Sequence, residues 1–194
     1  MSRRRVVVTG LGLVSPVGNT VPEAWENLIA GKSGIGPITR FDASAFSARI
    51  AGEVKDFDVT TYLSAKEARR MDVFIHYGMA AGIQAIRDSG IEVTAANAER
   101  IGVNIGSGIG GLPMIEDTHA DFVAGGPRKI SPFFIPGTII NMISGNLSIM
   151  YGMKGPNIAV VTACTTGLHA IGLSSRMIEY GDADVMVCGG AEST

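Results

Sequence analysis

The feature that most constrains the fold is the stretch Asn157-Ile158-Ala159-Val160-Val161-Thr162-Ala163-Cys164-Thr165-Thr166-Gly167-Leu168. A β-branched apolar run stops at a cysteine, and small residues with helical spacing follow. That order predicts a buried strand, a tight turn and a buried helix, with one thiol at the apex. At a helix start, unpaired backbone N–H groups and the helix dipole favour the thiolate. The thiolate is the nucleophilic form, so Cys164 is a candidate acyl-accepting group. The competing reading is a small buried hydrophobe, as free cysteine often is. Its neighbours Ala163, Thr165, Thr166 and Gly167 offer too little apolar bulk to favour that.

The rest of the chain supplies matching elements. Arg5–Gly10 reads as a fully buried first strand. Pro22 opens a helix carrying Ala24, Trp25, Leu28 and Ile29, with Gly31 as its cap. Lys32–Thr61 reads as loop with one short strand near Arg49–Val54. From Ala65 to Ser89, Met71, Phe74, Ile75, Met79, Ile83 and Ile86 recur at amphipathic-helix spacing, and Gly90 ends the run. Ile101–Ile105 is a second strand. A short helix is expected around Met114–Val123, and a longer one over Thr138–Tyr151 with Gly152 as its cap. After the helix that follows Cys164 comes Gly181, and then a last strand, Asp184–Cys188. Strands alternating with helices, the strands near-continuously apolar, predict an α/β fold with a mostly parallel sheet covered on both faces.

Composition narrows the classes. Of the 194 residues, 18% are charged, below the usual ~25%, and 26 are glycine, close to double the ~7% average. Tight turns and close packing are expected, not disorder. A net charge of −2 gives no reason to expect a nucleic-acid partner. No stretch is apolar for long enough to span a bilayer. Gly10, Gly12, Pro16 and Gly18 break the apolar run after Arg3-Arg4-Arg5, which argues against a signal peptide. The two cysteines, Cys164 and Cys188, read as reduced thiols of a cytoplasmic protein, with Cys188 packed in a strand. The last residues, Gly189–Thr194, lie directly beyond a buried strand, so the chain reads as part of a larger core.

Three further constellations have competing readings. Gly106-Ser107-Gly108-Ile109-Gly110-Gly111 is a literal G-x-G-x-x-G after a strand, the dinucleotide fingerprint. It follows the second strand, and no acidic residue closes a further strand about 20 residues on, which weakens it. Lys66, Arg69 and Arg70 fall in the first turns of the expected long helix, where positive charge opposes the dipole. They are either a solvated face balanced by Glu67 and Asp72 or a docking patch for an acidic partner. His76, His119 and His169 form no motif, and no metal-ligand spacing occurs.

Taken together, Val7–Gly18, Gly106–Gly111, Gly125–Pro132 and Thr162–Gly167 resemble the β-ketoacyl-acyl-carrier-protein synthase II family, elongating condensing enzymes of the thiolase-like superfamily. The similarity runs through residues 1–194 in order and includes the Gly111–Tyr151 insertion; the initiating type III synthases reach their cysteine sooner. The resemblance implies a thiolase-like fold, this chain being its N-terminal half, usually in a homodimer. It implies Cys164 as the acyl-accepting nucleophile. Condensation with malonyl-carrier protein follows, with loss of CO2. It implies substrate contacts at Gly108, Ile109 and Ala163, with Phe134 and Ile135 reaching the acyl pocket of the partner subunit. Lys66, Arg69 and Arg70 match the family's docking patch for acyl carrier protein, which is acidic. No cofactor or metal is implied, and neither nucleic acid nor membrane is an expected partner. The family's chains are roughly twice this length and carry both catalytic histidines in their C-terminal half, which His76, His119 and His169 do not match. A fragment that only binds carrier protein or a partner half is the alternative.

Overall fold

The computed structural model describes residues 4–193. Its centre is a parallel sheet of β4 (Asn157–Ile158), β3 (Ile101–Gly106) and β5 (Val185–Gly190), in that spatial order. β3 pairs with β5 over its whole length, from Ile101 opposite Val185 to Gly106 opposite Gly190. Successive side chains of a strand point to opposite faces. Ile101, Val103 and Ile105 thus face the main core, with Phe74, Ile75, Met79 and Ile83 of α3 (Val73–Ser89) and Ile143 and Leu147 of α6 (Met142–Tyr151). The alternate residue Asn104 reaches the other face, where its amide donates to the Ala170 carbonyl (3.2 Å) and to Ser174 Oγ (3.3 Å) of α7 (Thr166–Tyr180). The sheet is parallel and covered on both faces, as the alternation predicts.

The remaining elements are peripheral. α1 (Val21–Ile29) begins at an N-cap Thr20 whose hydroxyl accepts from the Glu23 N–H, and Gly31 follows it at φ +66°. A two-residue ladder joins β1 (Gly36–Pro37) to β2 (Ile50–Ala51). α4 (Leu112–Gly125) occupies the expected helical stretch and packs on α5 (Phe134–Thr138). Among the described residues no helix is long and apolar enough to cross a membrane.

Four expectations are corrected. Arg5–Gly10 joins no ladder, and Val7 and Val8 are exposed. Just beyond it the backbone lies against α3 and is held by side chains. Leu11 N–H donates to the Asp88 carboxylate (2.8 Å) and Leu13 N–H to Gln84 Oε1 (3.2 Å). Gly10 and Gly12 permit that approach, since a Cβ on either would collide with the Ala85 or Ala81 carbonyl. The single helix over 65–89 is two: α2 (Ala65–Ala68) and α3, parted at Asp72. That buried carboxylate caps α3 by accepting from Phe74 N–H (3.4 Å) and also accepts from Met114 N–H (2.8 Å), and aspartate favours a cap over a helix interior. The helix expected over Thr138–Tyr151 is α6 alone and starts later, at Met142; Thr138 closes the separate α5, and Ile139–Asn141 lie between them. Finally, only Asn157–Ile158 of the opening run is paired strand, and it is exposed, as are Val161 and much of α7. Small residues there bury one narrow stripe, Thr166, Ala170 and Ser174.

Candidate functional site

The carboxyl ends of β3 and β5 and the start of α7 meet in one crowded place. Glycine makes the meeting possible. A Cβ on Gly190 would lie 2.9 Å from the Gly167 nitrogen, and one on Gly106 would collide with the Val160 carbonyl and lie 2.7 Å from Thr166 Cγ2. The Ala191 N–H donates to the Gly106 carbonyl (3.0 Å), tying the two strand ends beyond their ladder. In open α/β sheets this end of the strands is where ligands bind.

Cys164 sits here, in a 3-10 turn Ala163–Thr165 that leads into α7, and it is exposed. The turn is strained at one residue: Ala163 adopts φ +51°, the left-handed region that a residue with a Cβ enters at a cost. Its surroundings hold it there. Thr165 N–H donates to the Thr162 carbonyl (3.1 Å), and Thr162 N–H donates to Thr166 Oγ1 (2.9 Å). Thr162 Oγ1 and His169 Nδ1 are hydrogen-bonded at 2.7 Å, so His169 braces the residues leading to the cysteine. Cys188 differs. It is half-buried in β5, and burial pushes its thiol up from the ordinary value against an opposing hydrogen bond with Ser174. Of the two thiols, Cys164 is the more exposed.

The Gly106–Gly111 loop already holds an anion, and that anion belongs to the chain. Glu192, two residues beyond β5, accepts from the N–H groups of Gly108 (2.7 Å), Ile109 (3.0 Å) and Gly110 (3.3 Å) and from Ser107 Oγ (2.8 Å). A nucleotide phosphate would need those same donors, so the fingerprint reading loses its physical basis. Sequence reasoning missed Glu192. The available signal was a lone acid following the glycine pair at the end of the last strand.

The other expected residues divide between two regions. Gly108 and Ala163 come together, a Cβ on Gly108 falling 3.2 Å from Ala163 Cα, and Ile109 stands exposed beside them. Phe134 is half-buried and Ile135 exposed on α5, to which the loop connects through Gly111 N–H and the Thr138 carbonyl (3.1 Å). Lys66, Arg69 and Arg70 are exposed, and Arg70 lies 4.0 Å from the centre of the Phe133 ring. For the two arginines the relation to the helix is the reverse of the expectation. Arg69 caps the C-terminal end of the short α2 and Arg70 lies just beyond it, where cations are compatible with the dipole, while Lys66 is the second of its four residues. Among the described residues these three form no salt bridge, and no cluster of His, Cys, Asp or Glu gathers to hold a metal ion.

The sequence model of the beta-ketoacyl synthase N-terminal domain matches residues 3–194. The chain belongs to the beta-ketoacyl synthase family. The chain is 65% identical over 192 residues to 3-oxoacyl-[acyl-carrier-protein] synthase 2 of Vibrio harveyi, covering 99% of this chain and 46% of that relative. It therefore spans about half the length of the relatives it matches. Among solved structures, a beta-ketoacyl synthase from Burkholderia phymatum STM815 superposes with a TM-score of 0.83 at 26% identity, covering 100% of this chain and 48% of that one. A type II PKS acyl-carrier protein in complex with its ketosynthase, bound to the hexaketide, gives 0.82 at 28%, covering 99% and 52%. The fold is that of the thiolase-like ketosynthases.

Proposed function

We propose that this chain is the nucleophile-bearing portion of a 3-oxoacyl-acyl-carrier-protein synthase of fatty acid biosynthesis. In this reading Cys164 takes an acyl chain from its carrier. The thiolate attacks the thioester carbonyl, the new S–C bond forms, and the carrier's thiol leaves with a proton. A malonyl thioester on a second carrier then loses CO2. The resulting carbanion attacks the carbonyl of the acyl-enzyme, a carbon–carbon bond forms, and the Cys164 thiolate is released. Splitting the reaction at an acyl-enzyme is what an exposed nucleophile offers. Backbone N–H at the cysteine turn would stabilise the oxyanion of both additions.

The observation that carries this reading is the exposed Cys164 at a strained turn opening α7, in a chain so similar to a named synthase. The same proposal assigns Lys66, Arg69 and Arg70 to the docking of an acidic acyl carrier protein. Gly108, Ile109 and Ala163 would line the acyl site, with Phe134 and Ile135 contributed across a homodimer interface, in the cytoplasm. The ketosynthase complex with its carrier protein is a precedent for such docking. The test is condensation by the intact protein with acyl- and malonyl-carrier protein. One CO2 is expected per 3-oxoacyl product, with loss of product in Cys164→Ala. Product formation by Cys164→Ala at the wild-type rate would refute the assignment.

A further inference from the structure

We infer that Glu192 is a positioning residue for acyl transfer, fixing the loop that carries Ile109 against the cysteine turn. This rests on the functional reading above and deepens it.

Consecutive backbone N–H groups pointing one way form a concavity that binds anions. Here the concavity is Gly108–Gly110, and both oxygens of one carboxylate fill it. Oε2 accepts from Gly108 (2.7 Å) and Ile109 (3.0 Å), while Oε1 accepts from Ser107 Oγ (2.8 Å) and Gly110 (3.3 Å). Ser107 is almost fully buried and also accepts from Gly110 N–H (3.1 Å), so the hydroxyl and the carboxylate close one ring of bonds. Hydrogen bonds to an ionised acceptor are about twice as strong as neutral ones.

What this loop touches gives the clamp its consequence. Glu192 lies two residues beyond β5, and the intervening Ala191 N–H is bonded to the Gly106 carbonyl, so the carboxylate has a fixed origin. Gly108 is pressed between the carboxylate and Ala163: a Cβ there would lie 2.6 Å from Oε2 and 3.2 Å from Ala163 Cα. Ala163 is the strained residue immediately before Cys164. Ile109, whose N–H is in the clamp, presents its side chain to solvent beside that turn. A change in the clamp thus moves the surface on which an acyl chain lies, without touching the thiol itself. Gln at position 192 retains one acceptor oxygen but turns an NH2 group toward N–H donors, which breaks half of the arrangement.

The experiment compares wild type with Glu192→Gln in the intact protein. Rates of acyl transfer onto Cys164 are measured with short-chain and long-chain acyl-carrier protein, beside alkylation of Cys164 by iodoacetamide and thermal unfolding. The ratio of long- to short-chain transfer is expected to change by about tenfold or more, because small displacements of a positioning group cost rate steeply. Alkylation, which needs only the thiol, stays within about twofold. An unchanged ratio, even with a lowered melting temperature, would reduce Glu192 to a purely structural role and overturn the inference. If Glu192→Gln does not unfold cooperatively, Ser107→Ala, which removes one donor, is read in the same way and decides the matter. A wild-type protein that accepts no acyl chain would overturn the functional reading, and this inference with it. Acylation of the wild type with an unchanged ratio in the variant removes only the inference.

Discussion

On one face of the sheet Ile101, Val103 and Ile105 meet Phe74, Ile75, Met79, Ile143 and Leu147, and hardly any of this surface reaches solvent. On the other face the strand presents Asn104 and Gly106, and α7 answers with Ala170, Ser174 and Thr166. The first face is large side chains interlocked. The second is backbone brought close to backbone, and it leaves Leu168 69% and Ile171 49% exposed on α7. Buried apolar area is what stabilises a fold, so the first face supplies most of the stability. The second has small side chains that let β3, β5 and α7 approach closely at Gly106, Gly167 and Gly190. Among the described residues, the buried apolar core and the cysteine turn therefore lie on opposite sides of the same three strands.

The largest expected effect tests that division directly. Phe74→Ala should cost about 3–5 kcal/mol, the range for deleting a buried aromatic, whereas Leu168→Ala should cost less than about 0.5 kcal/mol in the 194-residue chain. Urea unfolding of both variants measures this, and equal losses would break the comparison. Next in size is the basic patch, which belongs to neither face. Arg69→Glu with Arg70→Glu should weaken binding of acyl carrier protein by about tenfold at low salt, roughly 1.4 kcal/mol, and by less as salt rises. Titrations at two ionic strengths check this, and unchanged binding would make the patch an ordinary solvated surface.

The smallest effect lies where the strands begin. Hydrogen bonds from Arg100 and Arg4 hold the Asp184 carboxyl down to about 2, and all three side chains are well exposed. A carboxyl with a lowered folded-state pKa stabilises above its unfolded value, about 3.9, and loses that contribution as pH falls through the folded value. Asp184→Asn should therefore be slightly less stable than wild type at pH 7. The gap should close between about pH 4 and about pH 2. A gap that widens on acidification would contradict the ion-pair account.

What could be read from the sequence follows the same division. β3, β5 and the helix ends at Gly90, Gly152 and Gly181, all at positive φ, are set by local pattern, and all were legible. The Cys164 turn was legible too, because an apolar run ending at a small-residue helix is a local signal. The ladder expected at Arg5–Gly10 was not, since an apolar run does not say whether a partner strand lies beside it. The break at Asp72 was hidden within a continuous apolar periodicity through Met71, Phe74 and Ile75. Its cap depends on α3 and its second acceptor bond on Met114, far along the chain. Glu192 was hidden for the same reason: its partners lie more than eighty residues earlier.

The central claim is that Cys164 accepts an acyl chain. Its most direct test is peptide mass mapping of the intact protein after brief incubation with acyl-carrier protein and no malonyl donor. The account predicts one acyl group as a thioester on the Cys164 peptide, released by hydroxylamine, and an unmodified Cys188 peptide. Acyl groups on Cys188, on both thiols equally or on neither would contradict it.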